Sequence, residues 1–204
     1  MIEKLFSFTI KEDYETLEEC EVWSEFKKGH KEALSVLFKS YFEQLYLYGM
    51  NFLGNEEMVK DAIQVLFFRL WQNRERITNP DSIPAYLFVS LRRIMLRKKR
   101  REQARYTRNA QYLEYDANEE LSIEEVIMME EEKEEQLDLY KEALTSLTPR
   151  QKEALLLRMD SGMKNQEIAR IMDISDKRVR NLIYEAKKQL KKKLYELTGW
   201  ATWY

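Results

Sequence analysis

Residues 164–190, KNQEIARIMDISDKRVRNLIYEAKKQL, decide the fold. Ile168 and Ile171 stand one turn apart on a short first helix, and Ala169 is small enough for a close helix crossing. Asp173 follows as the turn residue, because Asp tolerates a left-handed backbone better than most non-glycine residues. Ile174 re-enters the core, and Ser175 can cap a second helix. On that helix Val179, Leu182, Ile183, Ala186 and Leu190 recur at helical spacing as a buried stripe. The other face carries Lys177, Arg178, Arg180, Asn181, Tyr184 and Lys188. The spacing predicts a helix-turn-helix whose second helix suits a DNA major groove. Its cations find phosphates, while Arg and Asn can address purine edges. Taken alone, the stretch reads equally well as two amphipathic helices with a solvated basic face. The rest of the chain decides between these.

With 204 residues, the chain has room for one large domain or two small ones. Its 34 basic and 36 acidic residues almost cancel, but they are segregated. Residues 92–105, RRIMLRKKRREQAR, hold eight Lys or Arg against one Glu. Residues 114–142 hold thirteen acids against two Lys, and residues 164–193 hold ten Lys or Arg against four acids. A basic–acidic–basic order predicts two polyanion-binding modules separated by an acidic linker. Only five glycines and three prolines occur among abundant Leu, Glu, Lys, Arg, Met and Gln, which favours helix throughout. No regular alternation of β-branched residues is present, so the expected class is all-α. The single cysteine, Cys20, cannot form an internal disulfide and fits a reducing, cytoplasmic setting. No apolar run approaches a membrane span, and the opening MIEKLFSFTIKEDYE carries acids too early for a secretory signal.

Five segments follow. Residues 1–20 read as a loosely attached leader, 21–105 as a first helical module, 106–135 as an acidic linker, 136–197 as a second module and 198–204 as an aromatic tail. In the first module residues 31–53 form a long apolar-periodic helix that Gly54 stops, and Asn55 can cap the next. The next helix begins EEMVKD with acids and ends with cations, as the helix dipole favours. Residues 78–84 break the chain with two prolines, and a helix that begins aromatic and ends basic follows. In the second module Thr148 caps, Pro149 occupies the first turn and Gln151 completes a capping box.

Three stretches taken together resemble the sigma factors of bacterial RNA polymerase, in particular the extracytoplasmic-function class. Residues 61–71, DAIQVLFFRLW, are similar to the family's D-x-x-Q-E-V-F-x-x-L-W polymerase-binding helix. Residues 84–88, PAYLF, running into an Arg-rich helix, are similar to the A-W-L-Y segment of the −10-binding region. The third is the helix-turn-helix module between Leu147 and Leu194. The chain departs from the family pattern at Val65 (usually Glu), Tyr86 (commonly Trp), Arg93 (usually Asn), Lys164 (usually a Ser cap) and Glu185 (often Arg). With Lys164 in place of that cap, Asn165 is expected to cap the first helix of the motif.

The resemblance implies that RNA polymerase core docks on the polar face of the helix bearing Asp61, Gln64 and Arg69. For Arg69 a plain solvated face is an equal reading. The resemblance also places −10 recognition and melting on the basic helix and the loop before it. Arg93, Arg97, Arg100 and Arg101 would follow phosphates, and Tyr86 and Phe88 lie beside them as aromatics for unstacked bases. For Phe88, core packing is the stronger reading. The loop 77–84 is where the family holds a flipped base, and Asn79, Asp81 and Ser82 offer donors and acceptors without one standing out. The −35 element falls to Lys177, Arg178, Arg180, Asn181, Tyr184, Glu185 and Lys188; Glu185 can accept from a cytosine amino group. The acidic linker passes near the polymerase's nucleic-acid channel, and an anti-sigma factor is an expected partner, again as the resemblance implies.

No phosphate loop, metal spacing or nucleophile motif is present in the sequence. His30, the one histidine, reads as a surface turn residue. The expectation is therefore a non-enzymatic initiation factor with no cofactor, no metal and no membrane insertion. Two rivals share parts of this pattern. One is a helix-turn-helix regulator that acts without polymerase core, and the other is a helical adaptor whose basic faces bind acidic proteins.

Overall fold

The computed structural model describes residues 17–109, 142–159 and 161–198. The tail from residue 199, the linker from residue 110 and the first sixteen leader residues lie outside them. The chain divides into two compact units, Met1–Tyr115 and Asp116–Tyr204. Among the described residues every regular element is helical, so the class is all-α.

The first unit contains α1 (Glu19–Lys28), α2 (Lys31–Leu53), α3 (Glu56–Asn73) and α4 (Ile83–Asn109). Gly29 ends α1 and Gly54 ends α2, both at positive φ, where a side chain would be strained. Asn55 caps α3, its side chain accepting from the Met58 N–H at 2.9 Å. Inside the unit Phe26, Leu37, Leu45, Ile63, Phe67, Leu87, Phe88, Leu91 and Met95 are fully enclosed. Gly49 lets α2 and α3 approach closely, since a Cβ there would lie 2.6 Å from Val59 Cγ1.

The buried stripe of α3 is Val59, Ala62, Ile63, Leu66, Phe67 and Leu70. Val65 is only half-buried. Leu66 and Leu70 pair at i,i+4 with Ala62, and this phase turns Ile63 inward and Val65 toward the rim. The sequence pattern carries this helix on to residue 77, but it ends at Asn73. There the Asn73 carboxamide donates back to the Arg69 carbonyl at 2.8 Å, a side-chain bond within the last turn. Arg74 then folds back over the Trp71 ring at 4.5 Å and donates to the Trp71 carbonyl at 3.0 Å.

The second unit contains a helical turn at residues 142–145, then α5 (Pro149–Met159), α6 (Asn165–Met172) and α7 (Asp176–Thr198). Ala143, Leu144, Leu147 and Leu155 pack against Ala186, Leu190 and Leu194 of α7. The capping box at the start of α5 is present: the Thr148 N–H donates to Gln151 Oε1 at 2.9 Å, and the Gln151 N–H donates to Thr148 Oγ1 at 3.4 Å. Asp173 adopts φ 56°, the one positive-φ non-glycine among the described residues. Its N–H and that of Ile174 close onto the Ala169 carbonyl, making the turn of the motif. Ser175 Oγ accepts from the Arg178 N–H at 3.3 Å and caps α7. Asn165 does not cap α6; it is the first helical residue. The Glu167 carboxylate instead accepts from the Lys164 N–H at 2.9 Å, so the helix start is held from within.

Candidate nucleic-acid interface

α7 sorts its side chains as its periodicity requires. Val179, Leu182, Ala186 and Leu190 are buried, and Ile183 is half-buried. Lys177, Arg178, Arg180, Asn181, Tyr184, Glu185 and Lys188 are all exposed. These seven positions therefore present four cations, an amide, a phenol and a single carboxylate to solvent. Tyr184 is 69% exposed, a large aromatic surface with no packing role in this unit. Arg180 is not isolated: its Nη1 lies 3.2 Å from Asp176 Oδ2, one turn earlier.

In the first unit a cleft of about 230 Å³ opens between α3 and α4. Arg69, Asn73, Tyr86, Ser90, Arg93 and Arg97 supply its polar lining. Arg69, read from the sequence as a polymerase contact, thus shares a wall with three residues read as −10 contacts. Tyr86 is half-buried, with its ring edge-on to Trp23 at 5.8 Å. Burial pushes its hydroxyl pKa up, against smaller opposing effects of a hydrogen bond with Ser90 and the charge of Arg93. The phenol is therefore a neutral donor at physiological pH. Arg100 and Arg101 are exposed further along α4, beyond the cleft.

The remaining expectations sort differently. Phe88 is completely buried, its ring 5.2 Å from that of Tyr48, and does not reach the surface as a base contact would have to. Asn79 Oδ1 accepts from Lys27 Nζ at 3.2 Å, and Ser82 Oγ accepts from the Ala85 N–H at 3.3 Å at the start of α4. Both side chains hold the loop in place. Asp81 is exposed and outside the cleft lining. On α3, Asp61 is ion-paired to Lys98 of α4, and Gln64 is half-buried. Phe68, two turns beyond Asp61 and on the same face, is 59% exposed. Asn73, Ser90 and Phe68 were missed by the sequence reading. The exposure of Phe68 was there to be read, since it falls out of phase with Ile63, Leu66, Phe67 and Leu70.

Two family models match the chain: "Sigma-70 region 2" over residues 37–105 and "Sigma-70, region 4" over residues 137–190. Together they span more than half of it. This chain belongs to the sigma-70 family. It is a sigma factor, with regions 2 and 4, that directs promoter-specific initiation by RNA polymerase core. Solved structures agree on the fold. CnrH, in complex with the cytosolic domain of CnrY, is 18% identical with a TM-score of 0.60, covering 88% of this chain and 98% of that one. The sigma factor RpoE, in complex with the anti-sigma factor NepR from Bartonella quintana, is 17% identical with a TM-score of 0.57, covering 77% of this sigma factor and 93% of that chain. No curated protein sequence matches this sigma factor.

Proposed function

We propose a division of labour between the two units. In the first, α3 docks polymerase core and the α3–α4 cleft with the basic face of α4 captures melted −10 DNA. In the second, α7 reads the −35 element as duplex. The observation that carries the melting assignment is the cleft itself. It joins an aromatic ring to the guanidinium groups of Arg69, Arg93 and Arg97 in a recess open to solvent. Single-stranded nucleic acid asks for that combination, since the cations neutralise phosphate and the ring stacks on or flanks an unpaired base. Duplex DNA would leave the recess empty. Arg100 and Arg101 extend the cationic track along α4.

The docking face of α3 combines Asp61, Gln64 and Phe68. Val65, where a family glutamate would stand, removes one charge from it, and Phe68 supplies apolar area in compensation. The factor performs no catalysis of its own; bond formation belongs to the polymerase. Among the described residues no group of three His, Cys, Asp or Glu could hold a metal, and no helix is long and apolar enough to cross a membrane. We place the factor in the cytoplasm with its polymerase. The complexes of CnrH with the cytosolic domain of CnrY and of RpoE with NepR support an anti-sigma partner for this chain as well.

Arg93→Glu with Arg97→Glu tests the melting surface. Both side chains are exposed, so the substitutions leave the core untouched. Permanganate footprinting of polymerase–promoter complexes is expected to show at least tenfold less thymine reactivity around the start site, with core affinity unchanged. Normal opening by this variant would move the melting surface away from the cleft.

A further inference from the structure

We infer that Asp176 is a positioning residue that aims Arg180 at one base of the −35 element and so sets specificity at that position. The inference rests on α7 being the duplex-reading helix. Asp176 is the first residue of α7, and Arg180 follows one turn later on the exposed face. The Asp176 carboxylate holds Nη1 of Arg180 at 3.2 Å. That contact leaves the other edge of the guanidinium, Nη2 and Nε, as a planar fork. A fork of two parallel N–H groups matches the O6 and N7 acceptors of guanine in the major groove.

The neighbouring cations are treated differently. Among the described residues no carboxylate stands within ion-pairing distance of Lys177 or Arg178, which share the first turn with Asp176. Those two are free to follow phosphates wherever they lie. Arg180 alone among the three is restrained, with 62% of its side chain still open to solvent. A long side chain fixed before binding loses less conformational freedom when it bonds a base.

The helix does not need Asp176 as a cap, because Ser175 already accepts from the Arg178 N–H. An acid at a helix N-terminus does favour the helix dipole. Here, however, it also stands where the DNA backbone would approach, and it repels phosphates there. Its presence lowers affinity for all sequences while sharpening preference at one. The second effect raises the ratio of specific to non-specific binding, which is the quantity a promoter factor needs.

The test is a −35 base-substitution series, read by promoter binding of the full chain assembled with polymerase core. Wild type, Asp176→Asn, Arg180→Ala and the double variant are compared at several salt concentrations. Arg180→Ala should flatten the preference at one base pair. Asp176→Asn should reduce preference at that same pair about fivefold or more, and there only. It should also steepen the salt dependence by about one unit of slope, since a phosphate-repelling charge is gone. The double variant should match Arg180→Ala at that pair. If Asp176→Asn retains wild-type preference where Arg180→Ala has lost it, or weakens all sequences alike, the positioning role is overturned and the reading of α7 stands. If Arg180→Ala changes no base preference, the assignment of Arg180 itself fails, and this inference falls with it.

Discussion

Phe88→Ala is expected to destabilise the first unit by about 3–5 kcal/mol, the cost of emptying a large aromatic site in a packed core. For a unit of this size that corresponds to a fall in melting temperature of roughly 10 °C or more. The ring is completely enclosed and lies against Tyr48 of α2, so its removal unties α2 from α4. Thermal denaturation followed by circular dichroism reads the effect directly. A Phe88→Ala protein that melts like wild type but fails to open promoters would return Phe88 to the DNA surface. The contrast with its neighbour is instructive: Tyr86, two residues earlier, is only partly buried, lines the cleft and can meet a base without leaving its packing against Trp23.

Phe68→Glu is expected to be the most damaging single change to polymerase docking, weakening affinity for core by about 2 kcal/mol or more, roughly thirtyfold. An aromatic that is 59% exposed on a helix face beside Gln64 offers more area to a partner than any other residue there. Asp61 is expected to matter less. It is already paired with Lys98, and exposed ion pairs are worth about 0–1 kcal/mol, so Asp61→Ala should cost correspondingly little. Titration of labelled protein with polymerase core, read by fluorescence anisotropy, separates the two. Unchanged affinity for Phe68→Glu would show that core docks elsewhere. Because Phe68 is outside the core of its unit, loss of fold is not an alternative outcome, and an unchanged melting curve verifies this.

Local chemistry made much of the fold legible. The span of α2, its stop at Gly54, the Asn55 cap, the Thr148–Gln151 box, the left-handed Asp173 and the Ser175 cap all follow from residues acting within one turn of themselves. What escaped depends on contacts across helices. Asn79 and Ser82 look like donors and acceptors awaiting a ligand until Lys27, 52 residues away in sequence, and the N-terminus of α4 are seen to occupy them. Arg69 joined the cleft because α3 and α4 cross there, a juxtaposition no periodicity encodes. Phe88 is the exception, because its phase with Leu91 and Met95 marked it for the core in the sequence itself.

A helix-turn-helix regulator that works without polymerase core would share α6 and α7 with this protein, and a basic helical adaptor would share its charge pattern. Neither would need an exposed aromatic on α3, a cationic cleft between α3 and α4 and a helix with an outward-facing row of cations and amide in one chain. Run-off transcription with purified polymerase core and a promoter library separates all three. The chain added to core is predicted to yield transcripts from a restricted set of templates sharing −35 and −10 elements, with none from core alone. Transcription from core plus this chain that is no more promoter-selective than core alone would contradict the account.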